Sequence, residues 1–113
     1  MYKRQIHDIS PLAGLTNLRE LNLSFNKISD LSSLTGLTNL EYLYFYENNI
    51  TDLTPLAGLT NLTELSLQEN NITDITPLEG LTNLTGLDLS ENQISASQKA
   101  MLEEALPNTS ISW

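Results

Sequence analysis

The sequence predicts an α/β solenoid: a right-handed coil with a curved parallel β-sheet on its concave side, short 3₁₀ turns on its convex side and a C-terminal capping helix. Three observations predict it. Most of the 113 residues repeat at a spacing of 22, a Leu-x-Leu alternation recurs inside each copy, and the apolar residues are overwhelmingly Leu and Ile, with only two Phe and one Trp. A fixed repeat of this length marks a supersecondary unit that cannot bury its own apolar face and must stack on its neighbours.

A partial repeat occupies residues 1–17, full repeats occupy 18–39, 40–61 and 62–83, and a further partial repeat occupies 84–94. Each opens as LxxLxLxxNxI, in which Leu21-x-Leu23, Leu43-x-Phe45, Leu65-x-Leu67 and Leu87-x-Leu89 have the period of a strand with one buried face. Stacking such strands sideways at about 4.8 Å gives a parallel sheet whose ladder satisfies the backbone. The second half, as in Asp52-Leu53-Thr54-Pro55-Leu56-Ala57-Gly58-Leu59, reads as one short helical turn. Asp is expected as its N-cap, Pro in its first turn and Gly as the positive-φ residue that ends it. Ser33 stands where the other three turns have Pro11, Pro55 and Pro77, which loosens that turn without redirecting it.

Residues 95–113 break the pattern. Ser95-Ala96-Ser97-Gln98 has capping-box spacing, and Lys99 to Leu106 followed by Pro107 predicts a closing helix of about two to three turns. Counting 22 from Leu84 and Leu89 reaches Leu106 and Ile111, which places Thr109–Ser112 as a last strand. Counting back from Leu23 and Asn26 reaches Met1 and Arg4, so the first strand position lies at the start of the chain and its open edge could pair with a second copy.

LxxLxLxxNxI followed by D-[IL]-x-P-L-x-x-L-T-N resembles the 22-residue repeats of the bacterial internalin-type leucine-rich-repeat family, from about Ile6 to Ile94. The resemblance implies a solenoid with its sheet inside and 3₁₀ turns outside, a surface that grips host proteins, and a secreted or cell-surface parent protein. No targeting signal is recognisable after Met1-Tyr2-Lys3-Arg4, and no stretch approaches the ~20 apolar residues of a transmembrane helix, so membrane insertion is not expected.

The net charge of −9 repels phosphate backbones, which argues against nucleic acid and favours a basic partner. The charge is uneven: residues 1–27 sum to +2 and the rest to −11.

Asn26, Asn48, Asn70 and Asn92 recur where the chain leaves each strand, and a buried Asn can supply donors and an acceptor together, which makes them a structural ladder. Asp8, Asp30, Asp52 and Asp74 form a second file; stacked carboxylates can bind calcium, but turn caps explain them better, and no metal or other cofactor is expected. There is no Cys, the one histidine, His7, sits in the partial first repeat on the convex side, and no serine lies in a nucleophile-elbow context. Catalysis is therefore not expected.

Binding is expected at the variable positions flanking the inward leucines, which alternate to the concave face. Aromatic and acidic residues concentrate there: Phe25 and Glu20 in the first full repeat, Tyr42, Tyr44, Tyr46 and Glu47 in the next, then Glu64, Gln68 and Glu69, and finally Asp88. Other repeats use Ser, Asn and Gln where the tyrosines stand, so strand propensity does not require them. A face of five strands covers roughly 350 Å², against about 800 Å² per partner in a standard interface, so weak binding or a place in a longer array is implied. A protein or peptide module preferring a basic partner fits these features first. A carbohydrate-binding surface using tyrosine stacking, and a truncated or engineered scaffold that self-associates through its N-terminal edge, are the alternatives.

Overall fold

The computed structural model describes residues 6–113. The strand position expected at Met1–Arg4, and with it the edge invoked for self-association, lies outside the described residues. A five-stranded parallel sheet runs in chain order β1 (Glu20–Asn22), β2 (Tyr42–Tyr44), β3 (Glu64–Ser66), β4 (Gly86–Asp88) and β5 (Ser110–Ser112). Turns of 3₁₀ helix at Ser10–Leu12, Ser32–Leu34, Thr54–Leu56 and Thr76–Leu78 cross the opposite side, and helix α1 (Ala96–Ala105) stands where a fifth would follow. Leu21, Leu43 and Leu65 pair in register, so the 22-residue count sets which side chains stack.

Between sheet and turns lies one apolar column. Leu40, Leu43, Phe45, Ile50, Leu53, Leu56 and Leu59 of a single coil are all buried, and their equivalents in the next coil are buried in the same way. Each fully buried Leu or Ile contributes roughly 1.5–3 kcal/mol relative to exposure.

The column requires a change of parity that alternation alone does not supply. Leu43 and Phe45 point inward, and a continued strand would send residue 47 inward next, yet Asn48 is the buried one, 6% exposed. Glu47 makes the switch by adopting φ 58°, and Phe25, Glu69 and Glu91 do the same at 62°, 57° and 59°. The left-handed residues of this fold are thus non-glycine residues at the strand exits.

The turns end differently from the sequence expectation. None of the glycines among the described residues has positive φ. Ala57 continues right-handed at φ −59°, ψ −29°, and Leu59 N–H and Leu62 N–H donate in succession to Leu56 and Leu59 carbonyls. The chain reaches the next strand by consecutive i→i+3 steps, so no reversal is needed.

The aspartates also sit one residue earlier than an N-cap. Leu53 occupies that position, while Asp52 Oδ1 accepts from the Thr54 N–H at 2.9 Å and from its hydroxyl at 2.8 Å. The same bond from the backbone of Ser10, Ser32 and Thr76 holds Asp8, Asp30 and Asp74 below the usual carboxylate range. An Asx turn of this kind caps the first N–H of the 3₁₀ segment.

At the cap, Ser95 Oγ accepts from Gln98 N–H at 3.3 Å, but the Gln98 side chain does not close the box. Its Oε1 accepts from Ile75 N–H at 2.8 Å and ties α1 to the previous coil. A ten-residue helix uses more chain than a three-residue turn, and Ile111 pairs with Leu87, a spacing of 24, instead of standing in phase with Leu89. The offset of two preserves parity, so Ile111 still packs against the core. Trp113 is pinned to α1 by an Nε1–H bond to Glu103 at 3.0 Å and by Lys99 Nζ, 5.6 Å from its ring centre.

Four asparagines lock coil to coil. Asn48 Oδ1 accepts from Ile28 N–H at 3.0 Å, and Asn26, Asn70 and Asn92 accept in the same way from Ile6, Ile50 and Ile72. Their Nδ2 groups donate to strand-exit carbonyls; Asn70 reaches Phe45 and Leu67, both at 3.0 Å. A second ladder, which the sequence reading missed, lies at the opposite corner, where Asn39, Asn61 and Asn83 each donate at 2.8 Å to the carbonyl 23 residues earlier.

Two stability outcomes follow from this architecture. Replacing Asn70 by Ala strands the buried Ile50 N–H, while the Phe45 and Leu67 carbonyls keep bonds from Asn48 and Asn92 Nδ2, and should lower unfolding free energy by about 1–3 kcal/mol in urea titrations, against under about 1 kcal/mol for the exposed Asn61→Ala. Glu91→Val should cost about 1–2 kcal/mol because a β-branched residue is strained at positive φ, while Glu91→Gly should leave stability unchanged or slightly raised; equal effects of Val and Gly would contradict the backbone account.

Candidate binding face

Residues alternating with the core leucines form rows across the outer face of the sheet. Glu20, Tyr42, Glu64, Gly86 and Ser110 make one row, and Asn22, Tyr44, Ser66, Asp88 and Ser112 the next. The ladder continues past the strands, with Phe25 N–H donating to the Tyr46 carbonyl and Glu47 N–H to the Gln68 carbonyl. Tyr42, Tyr44 and Tyr46 therefore share one edge-to-edge line along β2 and its extension.

Each tyrosine is half-buried, and two are fixed by neighbours. Tyr44 stands beside the small Ser66 and leans to Glu64, donating to Oε2 at 3.1 Å. Tyr46 has the Glu69 carboxylate nearby and packs edge-on against Phe25, ring centres 4.9 Å apart. Phe25 is 59% exposed, a large apolar surface. Glu20, Glu64, Gln68 and Asp88 lie with the tyrosines on the face, whereas Phe25, Glu47 and Glu69 occupy the left-handed strand exits along its border.

These contacts shift the phenols. Burial, followed by the Glu64 bond, raises the Tyr44 pKa above its ordinary value, and the Glu69 carboxylate leads the causes that raise Tyr46. Among the described residues the ion pair formed is Arg19–Glu41, at 2.7 Å on the rim, while Lys99 sits on α1 beside Trp113. Glu20, Glu47, Glu64, Glu69 and Asp88 have no ion-pair partner among the described residues.

Two features of the face escaped sequence reasoning. Ser110 and Ser112 join it from β5, and the helix offset sets them beside Gly86 and Asp88. Gly86 opens a groove of about 430 Å³ between Tyr44 and Glu64 on one side and these serines on the other. A second hollow of about 450 Å³, lined by Tyr46, Glu69, Ser90 and Glu91, adjoins it, and Gln68 and Asp88 line both. The signal for the groove was available as the one glycine in an otherwise side-chain-bearing row. His7 is exposed, and no group of three or more His, Cys, Asp or Glu among the described residues is placed to hold a metal ion.

A solenoid of in-register Leu-rich coils with an open sheet face defines a repeat protein. The family model described as leucine-rich repeats (2 copies) matches residues 2–36, 16–58, 38–80 and 60–108, and the chain belongs to the leucine-rich-repeat family, with repeats of the internalin type. Among solved structures it is similar to internalin C2 of Listeria monocytogenes, with 48% identity and a TM-score of 0.84 over 96% of this chain and 48% of that one. Internalin F of the same organism gives 40% identity and a TM-score of 0.87, covering 95% of this chain and 31% of that one. A leucine-rich-repeat protein of Leptospira interrogans gives 33% identity and a TM-score of 0.89, covering 100% and 30%. The chain thus spans half or less of the length of these relatives. No curated protein matches it.

The phenol geometry has a spectroscopic outcome. As pH rises, Tyr44 and Tyr46 keep their protons above about 10, the range in which unperturbed tyrosines ionise, because the neighbouring carboxylates oppose a phenolate. Absorbance titration near the phenolate band should show late-ionising tyrosines, and Glu69→Gln should move one of them down; an unchanged titration would remove Glu69 as the cause of the Tyr46 shift.

Proposed function

We propose that this chain is a non-catalytic protein- or peptide-binding module that uses the concave sheet face and favours a basic partner, within a secreted or cell-surface parent protein. The observation that carries the reading is the combination on one face of three half-buried tyrosines, an exposed Phe25 and five carboxylates without an ion-pair partner among the described residues. Leucine-rich-repeat proteins generally act in protein binding, which supports the class of partner. Aromatic side chains supply rigid apolar area with a polar tip, and unneutralised carboxylates steer cationic partners and reject anionic ones. The absence of Cys from the sequence and the exposed position of His7 support a non-catalytic role.

The face is small against a standard interface of about 800 Å² per partner. Modest affinity with strong salt dependence is the expected character. An acetylated peptide alternating Arg, Lys and Gly should quench or shift tyrosine fluorescence, and its Kd should rise about tenfold or more between about 20 and 200 mM salt as the Debye length shrinks. Tyr44→Ala should weaken the same titration. A neutral tetrasaccharide that binds with no salt response, or failure of the peptide to bind at low salt, would overturn the basic-partner reading.

A further inference from the structure

In the row Glu20, Tyr42, Glu64, Gly86, Ser110, only Gly86 lacks a side chain. Neither backbone nor packing demands glycine there. Its φ is not positive, and an added Cβ would meet nothing closer than Glu64 Oε1 at 3.9 Å. The missing side chain leaves the groove of about 430 Å³ bordered by Tyr44, Glu64, Ser66, Asp88 and the two serines of β5.

We propose that this notch is a subsite for one arginine side chain of the partner, with its guanidinium bridging Glu64 and Asp88 and lying against the Tyr44 ring. The proposal rests on the concave-face reading above and adds a location and a preferred residue. Both carboxylates are held in place by one oxygen and leave the other available. Tyr44 Oη donates to Glu64 Oε2 at 3.1 Å, and Asp88 Oδ1 accepts from Ser90 N–H at 3.1 Å and from its hydroxyl at 2.7 Å. Glu64 Oε1 and Asp88 Oδ2 make no hydrogen bond among the described residues.

Asp88 stands two residues along β4 from Gly86, the register partner of Glu64, so the two are diagonal neighbours on parallel strands with about 8 Å between positions. A guanidinium presents five donors in a rigid planar fork and can reach both carboxylates at once, whereas an ammonium is a compact point charge. Its plane also stacks on an aromatic ring, here Tyr44, a contact worth more where water is excluded. A neutral residue of similar shape, such as citrulline, would keep the stacking and lose the charge.

The test uses the wild-type chain and acetyl-Gly-Gly-Arg-Gly-Gly-amide, followed by amide chemical shifts at low salt, with lysine and citrulline counterparts. The arginine peptide should perturb Ser66, Gly86, Leu87 and Asp88 saturably, and the lysine and citrulline peptides should bind at least about fivefold more weakly. Gly86→Leu, which fills the notch, and Asp88→Asn, which keeps the Oδ1 acceptor for Ser90 but removes the charge, should each abolish the response. Glu79→Gln, an equal change of charge on the convex turn side, should not alter it. Shifts centred on Tyr46 and Glu69, equal binding of the lysine peptide, or indifference to both variants overturn the subsite and leave the concave-face reading standing. So does silence of the pentapeptide while the longer Arg/Lys/Gly peptide still binds. Silence of both peptides overturns the subsite together with the reading beneath it.

Discussion

The bond on which the solenoid depends is the one from an isoleucine N–H to an asparagine Oδ1 in the next coil, 20 residues on. Strands of three residues form short ladders, and the chain turns out of the sheet immediately after them. At that corner the backbone groups point into an apolar column where water cannot serve them. An unpaired buried donor there costs about 1–3 kcal/mol, repeated at every coil. Asn48 and Asn70 resolve it by accepting from one coil and donating to carbonyls of two. Leucine packing supplies most of the driving force, but it is non-directional; the asparagine bonds set how far each coil is rotated and translated relative to the last.

Seen from that bond, the left-handed residues are a requirement. Asn48 can face inward only if the alternation that brought in Leu43 and Phe45 is broken, and a single residue at positive φ breaks it in the least chain length. Phe and Glu tolerate the strain because the position is at the surface and neither is β-branched. The cue was present in the sequence as the three-residue step from Phe45 to Asn48 inside a two-residue pattern. The glycines drew attention instead, since glycine is the usual left-handed residue. Here the turns stay right-handed throughout, and Gly58 has open space where a Cβ would go; the structure offers no steric or dihedral reason for it.

Fold class, sheet order and the register of β1 to β4 were legible because they follow from one period and one alternation. The cap was legible as an element but displaced by two positions, because Ala96–Ala105 forms a true α-helix and a helix consumes more residues than a 3₁₀ turn in crossing the same span. Which residues share the concave face was legible from parity. How they lean was not: Tyr44 reaches Glu64 instead of its register partner Ser66 because Ser66 is small and leaves the way open. Such choices depend on side chains 20 or more residues away and have no local signature. The Asn39, Asn61 and Asn83 ladder had a signature, the recurrent Thr-Asn before each strand, but the same dipeptide reads equally well as a solvated turn.

The separation between inward and outward rows explains how such a fold can carry recognition. Every inward position on a strand is committed to the column, and exchanging Leu43 or Phe45 would be felt in both adjoining coils. The outward positions have no comparable duty: across the rows they are Glu, Tyr, Glu, Gly and Ser, or Asn, Tyr, Ser, Asp and Ser, with the backbone register unchanged. Stability in a solenoid is close to a sum of coil and nearest-neighbour terms, so a change of outward side chain disturbs neither. The aromatic line on β2 and the gap at Gly86 are therefore not consequences of folding, and their physical meaning has to be sought in what approaches the face. On the proposal above, a surface that concentrates tyrosines beside carboxylates without an ion-pair partner among the described residues, with one side chain removed between two of them, would receive a flat cation against the Tyr44 ring. On the reading proposed above, the same negative field would repel phosphate-bearing ligands, and the small area would keep a single contact reversible.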